Sequence, residues 1–224
     1  MGLACIGAIL LPALAYRLQN SAVGQIMLLP TLAYRLHHTS ARQATSDDQV
    51  YEVYSATIRE LFLKNDDGTK SPDDLAERLI VVKDHTISYR PEREDDAAKT
   101  ALFWTISGVV FDVRTVEDFN RKCKDSISLQ THFTLPGKQV LISDQELDQF
   151  FGDKGSRWQG FYERYPKSNG FISVSRVGFN PDHSQAFLYA AASCGGLCGE
   201  GYYVLLGKDG GVWSVKRKTM LWIS

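Results

Sequence analysis

Neither sign of charge is in surplus: 25 lysines and arginines face 26 aspartates and glutamates, a formal net charge of −1. A general nucleic-acid binder is usually clearly basic, so nucleic acid is set aside as a partner. The one compact basic run, Lys216-Arg-Lys218, suits a solvated strand edge, where it discourages edge-to-edge pairing. The signatures of familiar enzymes are missing too. There is no phosphate loop, no Gly-x-Ser-x-Gly elbow, no His-Glu-x-x-His pair and no dinucleotide fingerprint. Gly152-Asp-Lys-Gly-Ser156 lacks phosphate-loop spacing. No cofactor is expected on these grounds, and a site built from scattered residues stays open. The apolar run Leu3–Ala15 falls short of the roughly 20 residues that a spanning helix needs.

That run ends Ala13-Leu-Ala15, a small-x-small pattern that suits signal peptidase. Leu10-Leu-Pro-Ala-Leu-Ala-Tyr-Arg-Leu18 recurs as Leu28-Leu-Pro-Thr-Leu-Ala-Tyr-Arg-Leu36, a duplicated nine-residue unit. Further cleavage points follow Ala33 and Ala41. No Lys or Arg precedes Arg17, so the positive flank of a signal is missing. Residues 1–41 are therefore read as an export signal, or as an apolar segment retained against a membrane. Cys5 lies too close to Met1 for a lipoprotein signal, and His37 and His38 fall inside the export region.

Residues 47–224 are read as a single α+β domain, helix-rich over 47–166 and a β-meander over 170–224. Val50, Val53, Tyr54, Ile58, Leu61 and Phe62 recur at helical spacing, which predicts an amphipathic helix over 48–63. Asn65–Gly68 stops it, and Ser71-Pro72 opens a short turn. Strands are expected at 78–83 and 140–142, with a charged loop at 90–96. Thr115-Val-Glu-Asp118 and Ser143-Asp-Gln-Glu146 both read as capping boxes, and a third helix spans 156–165. In the last third, Phe171 and Ser173 alternate with Ile172 and Val174. The turn-forming run 180–184, the apolar run 185–192, the strand 202–206 and the Asp209-Gly-Gly211 turn follow. Four to five antiparallel strands result, with upstream helices on one face.

Cys194 and Cys198 flank Gly-Gly-Leu in a glycine-rich stretch. In an oxidising compartment two thiols this close would close a local disulfide, clipping a hairpin. A redox pair is the alternative, although that motif normally has two intervening residues. Zinc would need further ligands such as His85, His132 or His183, none at ligand spacing. A nucleophilic cysteine would need a base, for which His183 is the nearest in sequence. Asp84-His85 ends a strand, where a carboxylate can tune an imidazole. Cys123 stays unpaired on the inner face of its helix. Trp158, Tyr162, Tyr202 and Trp213 could line a pocket, or could belong to a helix packed on the sheet.

The stretch from Tyr165-Pro166 through Ser173-Val-Ser-Arg-Val-Gly-Phe179, with Cys194-Gly-Gly-Leu-Cys-Gly199, Gly211-Val-Trp213 and Trp222-Ile-Ser224, resembles secreted bacterial proteins of unassigned function. Helices followed by a long meander ending in Gly-x-Trp-x-Val resemble the nuclear transport factor 2-like and cystatin-like folds, which house a small-molecule pocket or a binding surface. Strands read near Val81 and Val110 depart from the order of those folds. The expectation is an exported, periplasmic or extracellular, non-catalytic binding or interaction domain with a Cys194–Cys198 clip. Its partner would be a small molecule or a protein. An enzyme, with a hydrolase-like pocket or a thiol-redox pair, and a membrane-associated protein are the alternatives.

Overall fold

The computed structural model describes residues 46–64, 75–88, 94–108 and 110–224. All belong to the second of the chain's two units, Arg42–Ser224. The readings placed on 1–41, on Asn65–Gly68, on Ser71-Pro72 and on the start of the charged stretch lie outside the described residues.

Helix α1, Ser46–Ile58, continues into a π-helical turn, Arg59–Leu63. Val53 through Ile58 are buried without interruption, because this helix is covered on two sides. The sheet lies on one. On the other, the segment 128–135 is strapped over it: Gln130 N donates to the Tyr51 hydroxyl, Thr134 N to Ser55 Oγ, and Arg59 to the Thr134 carbonyl. The buried hydroxyls of Ser55 and Thr57 donate back to the carbonyls of Tyr51 and Val53, which satisfies them inside the helix.

Among the described residues, seven strands form one mixed sheet: β1 Leu79–Lys83, β2 Lys138–Ile142, β3 Ser168–Val174, β4 Gly178–Phe179, β5 Gln185–Gly195, β6 Cys198–Asp209 and β7 Val212–Ile223. The order is β2-β1-β3-β5-β6-β7, with β4 beside β5. β1 runs parallel to both β2 and β3, and every later pairing is antiparallel. The class is therefore α+β, with two parallel strands added to the expected meander. Helices α2 Glu94–Ile106 and α3 Arg114–Lys122 connect β1 to β2. Helices α4 Asp144–Phe151 and α5 Arg157–Arg164 connect β2 to β3, as parallel pairing requires.

Alternation along the strands divides the core. Ile80, Val82, Ile172, Val174, Leu188, Val204 and Leu206 face α1 and the strap. On the opposite face Phe187, Tyr203 and Leu205 meet Ala97, Ala101 and Trp104 of α2 and Val116 and Phe119 of α3. Val81 and Ile142, beside them, meet Leu147, Phe161 and Tyr165 of α4 and α5.

Several local expectations are revised. The stretch 170–179 is two strands, because the chain leaves the ladder at Ser175, whose hydroxyl accepts the Tyr189 N–H while its own N–H reaches the Tyr189 carbonyl. Glu94–Asp96 begin a helix rather than ending a loop. Val110 is an exposed loop residue, outside any strand. Thr115 lies inside α3 and its buried Oγ1 has no partner, so no capping box forms there; Asp112 Oδ1 accepts the Arg114 N–H instead. At α4 half of the box is present. Ser143 Oγ accepts Glu146 N at 3.1 Å, but the Glu146 carboxylate accepts the Tyr165 hydroxyl at 2.5 Å.

Candidate functional site

The glycine-rich stretch folds as a tight hairpin tip rather than an open loop. β5 and β6 pair up to Gly195 opposite Cys198, leaving only Gly196 and Leu197 as the turn. Cys194 and Cys198 are joined by a disulfide with Cα atoms 5.0 Å apart. Cys194 is the extra residue of a bulge, since Ser193 faces Gly199 and Gly195 faces Cys198. From the other side of the sheet, the Tyr162 hydroxyl of α5 donates to the Cys194 carbonyl at 2.7 Å. Burial raises the Tyr162 phenol above its ordinary value, so the donor stays protonated at neutral pH.

This hairpin forms one wall of a cleft of about 400 Å³, a volume within the range of small-molecule sites. The π-helical turn supplies a second wall through Leu61, Phe62 and Leu63, followed by Lys64. Arg78, just before β1, Ile80 of β1 and Asn169 and Gly170 of β3 form the floor, and Ile223 and Ser224 close the far side. Leu197 and Ile223 stand at the rim 91% and 72% exposed.

Regular geometry breaks in several elements at or beside this cleft. β3 carries one residue more than β1 between the Leu79–Ser168 and Val81–Phe171 pairs, which places Asn169 and Gly170 opposite Ile80. Gly170 has φ +77°, and a Cβ there would lie 1.9 Å from the Ser193 carbonyl, so only glycine lets β3 and β5 approach so closely. β5 bulges at Cys194. β7 bulges at Leu221, between Trp222 opposite Gly201 and Met220 opposite Tyr202. Helix α1 widens into its π turn at the same end.

The charges of the cleft are unequally matched. Lys64 pairs with Glu60. Glu200 accepts the Tyr202 hydroxyl at 2.6 Å. The half-buried Arg78 guanidinium has no carboxylate or other side-chain partner among the described residues, while its backbone holds β1 to the Lys138 N–H.

Of the four aromatic residues expected to line a pocket, none borders this cleft, and they do not share one cavity. Trp158 stacks on Phe171 and Tyr162 at 5.9 and 5.7 Å under α5. Tyr202 and Trp213 belong to the α1 face on the other side of the sheet. Tyr162 alone reaches the cysteine pair, through the Cys194 carbonyl. His183 is held by Gln49 Oε1 at 2.9 Å and stacked on Phe179. It precedes β5, whose extended length of about 30 Å separates it from Cys194 at the other end, so it cannot act on the pair. Cys123 is free, buried, and directed at the Arg176 carbonyl at 3.4 Å; burial raises its thiol to about 12. His132 lies edge-on to Tyr51.

The Asp84-His85 pair acquires partners that sequence spacing does not show. His85 Nδ1 lies 2.5 Å from Asp84 Oδ1, and its Nε2 lies 3.0 Å from Asp144 Oδ2 at the start of α4. Lys83 meets the other oxygen of Asp144 at 2.5 Å, and its hydrogen bond holds that carboxyl below the usual range. Both ring nitrogens are thus engaged. The cluster sits at the opposite end of β1 from Arg78, apart from the cleft. Among the described residues no group of three or more His, Cys, Asp or Glu side chains could hold a metal ion, and no helix is long and apolar enough to cross a membrane.

Sequence reasoning missed Arg78, the π turn and the β3 bulge. Gly170 inside an alternating strand pattern was the available signal, because an isolated glycine there marks a bulge. Neither a family model, nor a curated protein, nor a solved structure matches the chain significantly.

Proposed function

We propose that this is an exported, non-catalytic binding domain whose ligand seats in the cleft between the π-helical turn and the disulfide hairpin. One observation carries the reading: the bulges of β3 and β5 and a π-helical turn all lie in the walls of this cleft. Bulges and π turns cost regular hydrogen bonds and are enriched where chains build sites. The exposed Leu197 and Ile223 at the mouth add apolar surface that a ligand would cover. Export rests on the disulfide, which persists in oxidising compartments, and on the apolar start of the chain.

Amide chemical-shift mapping with a fragment library tests the binding reading. Hits should perturb Leu63, Asn169, Gly199 and Ile223 together. Fragments that leave these four amides unmoved, or that collect elsewhere, would remove the cleft from consideration. Intact mass of the protein from its native compartment tests export. A shortened chain with Cys194 and Cys198 protected from alkylation is expected, and a full-length chain with free thiols would refute it.

A further inference from the structure

We infer that the cleft takes an amphipathic carboxylate, its head group on Arg78 and its aliphatic tail against Phe62, Leu197 and Ile223. This rests on the cleft being the binding site. Hydrogen-bond partners carry the inference. Among the described residues three ionised side chains line the cleft, and two have partners within the protein: Lys64 has Glu60, and the Glu200 carboxylate accepts the neutral Tyr202 hydroxyl. The third, the half-buried Arg78, has none among the described residues. A half-buried guanidinium without a partner presents a planar fork of donors. The acceptor that matches that fork is a carboxylate, which takes two parallel N–H···O bonds.

The remaining lining sets the rest of the ligand. The apolar lining side chains that still expose surface are Phe62, Leu197 and Ile223, and they take the apolar body of the ligand. The volume of about 400 Å³ admits a chain of roughly eight to ten carbons. A cationic amphiphile offers the Arg78 donor fork no acceptor. A neutral amphiphile would fill the apolar part and leave the guanidinium unmatched.

Calorimetry and amide shift mapping with octanoate and with 1-octanol test this on the full chain. Octanoate should bind with shifts at Arg78, Asn169 and Leu63, and 1-octanol should bind at least tenfold more weakly at the same amides. Arg78→Gln should weaken octanoate by about tenfold or more and leave 1-octanol unchanged. Arg78→Lys should fall between, keeping the charge and losing the fork. An unchanged melting temperature in both variants separates this from a loss of fold. Equal affinity for octanoate and 1-octanol at the cleft would overturn the carboxylate and keep the cleft as a binding site. Octanoate that fails to bind, binds elsewhere, or is indifferent to Arg78→Gln would overturn it as well.

Discussion

The indole of Trp222 lies against the backbone of Gly201 and donates its Nε1–H to the Tyr189 hydroxyl at 2.8 Å. The contact depends on glycine, since a Cβ at 201 would stand 2.2 Å from that nitrogen and 2.7 Å from the hydroxyl. It also depends on the β7 bulge, which sets Trp222 opposite Gly201. Gly201→Ala should therefore expel the indole and destabilise the fold by about 1–3 kcal/mol, the usual cost of overpacking. Urea unfolding measures it. In a Trp222→Phe background the same substitution should cost measurably less, because the two sites are coupled. An equal cost in both backgrounds would show that the indole does not fix this end of β7.

The disulfide closes a very short loop, and its contribution follows from that. By the chain-entropy argument a loop of this size stabilises by about 2 kcal/mol. The hairpin has other ties besides it, the Ser193–Gly199 pair and the Tyr162 to Cys194 hydrogen bond. The Cys194→Ser, Cys198→Ser double variant should keep its far-ultraviolet dichroism and lose about 2 kcal/mol in denaturant unfolding. Loss of the folded signal at room temperature would mean the clip is needed for folding rather than for stability.

Much of this fold is legible in the residues because period and burial agree. β6 is buried almost throughout from Gly201 to Gly207, and its unbroken apolar run gives it away. Asp209-Gly-Gly211 announces its turn, with φ of +55° and +87° at Gly210 and Gly211. The disulfide, too, follows from local spacing. Helix α2 does not show itself, because Leu102 and Phe103 are exposed while Ala97, Ala101 and Trp104 are buried, so apolar residues occupy both faces and the helical period is blurred. The cleft is hidden for a different reason. Its walls come from residues 61–64, 78–80, 169–170 and 194–200, and only the tertiary approach of β3 to β5 at Gly170 assembles them.

Cys123 offers a contrast with the hairpin cysteines. It is buried, and its thiol is raised to about 12, chiefly by desolvation. The thiolate is the reactive form, so at pH 8 folded protein should show no alkylation at Cys123 by iodoacetamide over hours. The same treatment in strong denaturant should modify it fully. Peptide mass mapping reads both. Rapid modification of the native protein would place Cys123 in a more open setting than the buried cap of α3 that it occupies.

Asp118 ties α3 to the sheet and should govern part of the acid limb of stability. Its carboxylate accepts the Phe179 N–H at 2.9 Å and pairs with Lys122 at 2.7 Å and with Arg121. Burial opposes its ionisation, but the Lys122 hydrogen bond, the Phe179 N–H and the charges of Lys122 and Arg121 outweigh burial and hold it below its ordinary value. A carboxyl lowered in the folded state stabilises above its unfolded pKa, near 4, and loses that contribution as pH falls through the lower folded value. Asp118→Asn should thus cost about 1–2 kcal/mol at pH 7. The gap to the parent should narrow as pH drops below about 4, because the parent carboxyl is then neutral too. Urea unfolding at pH 7, 5, 4 and 3 follows the gap directly. A gap of constant size across that series would mean that Asp118 acts through its shape and its hydrogen bond to Phe179, and not through its charge.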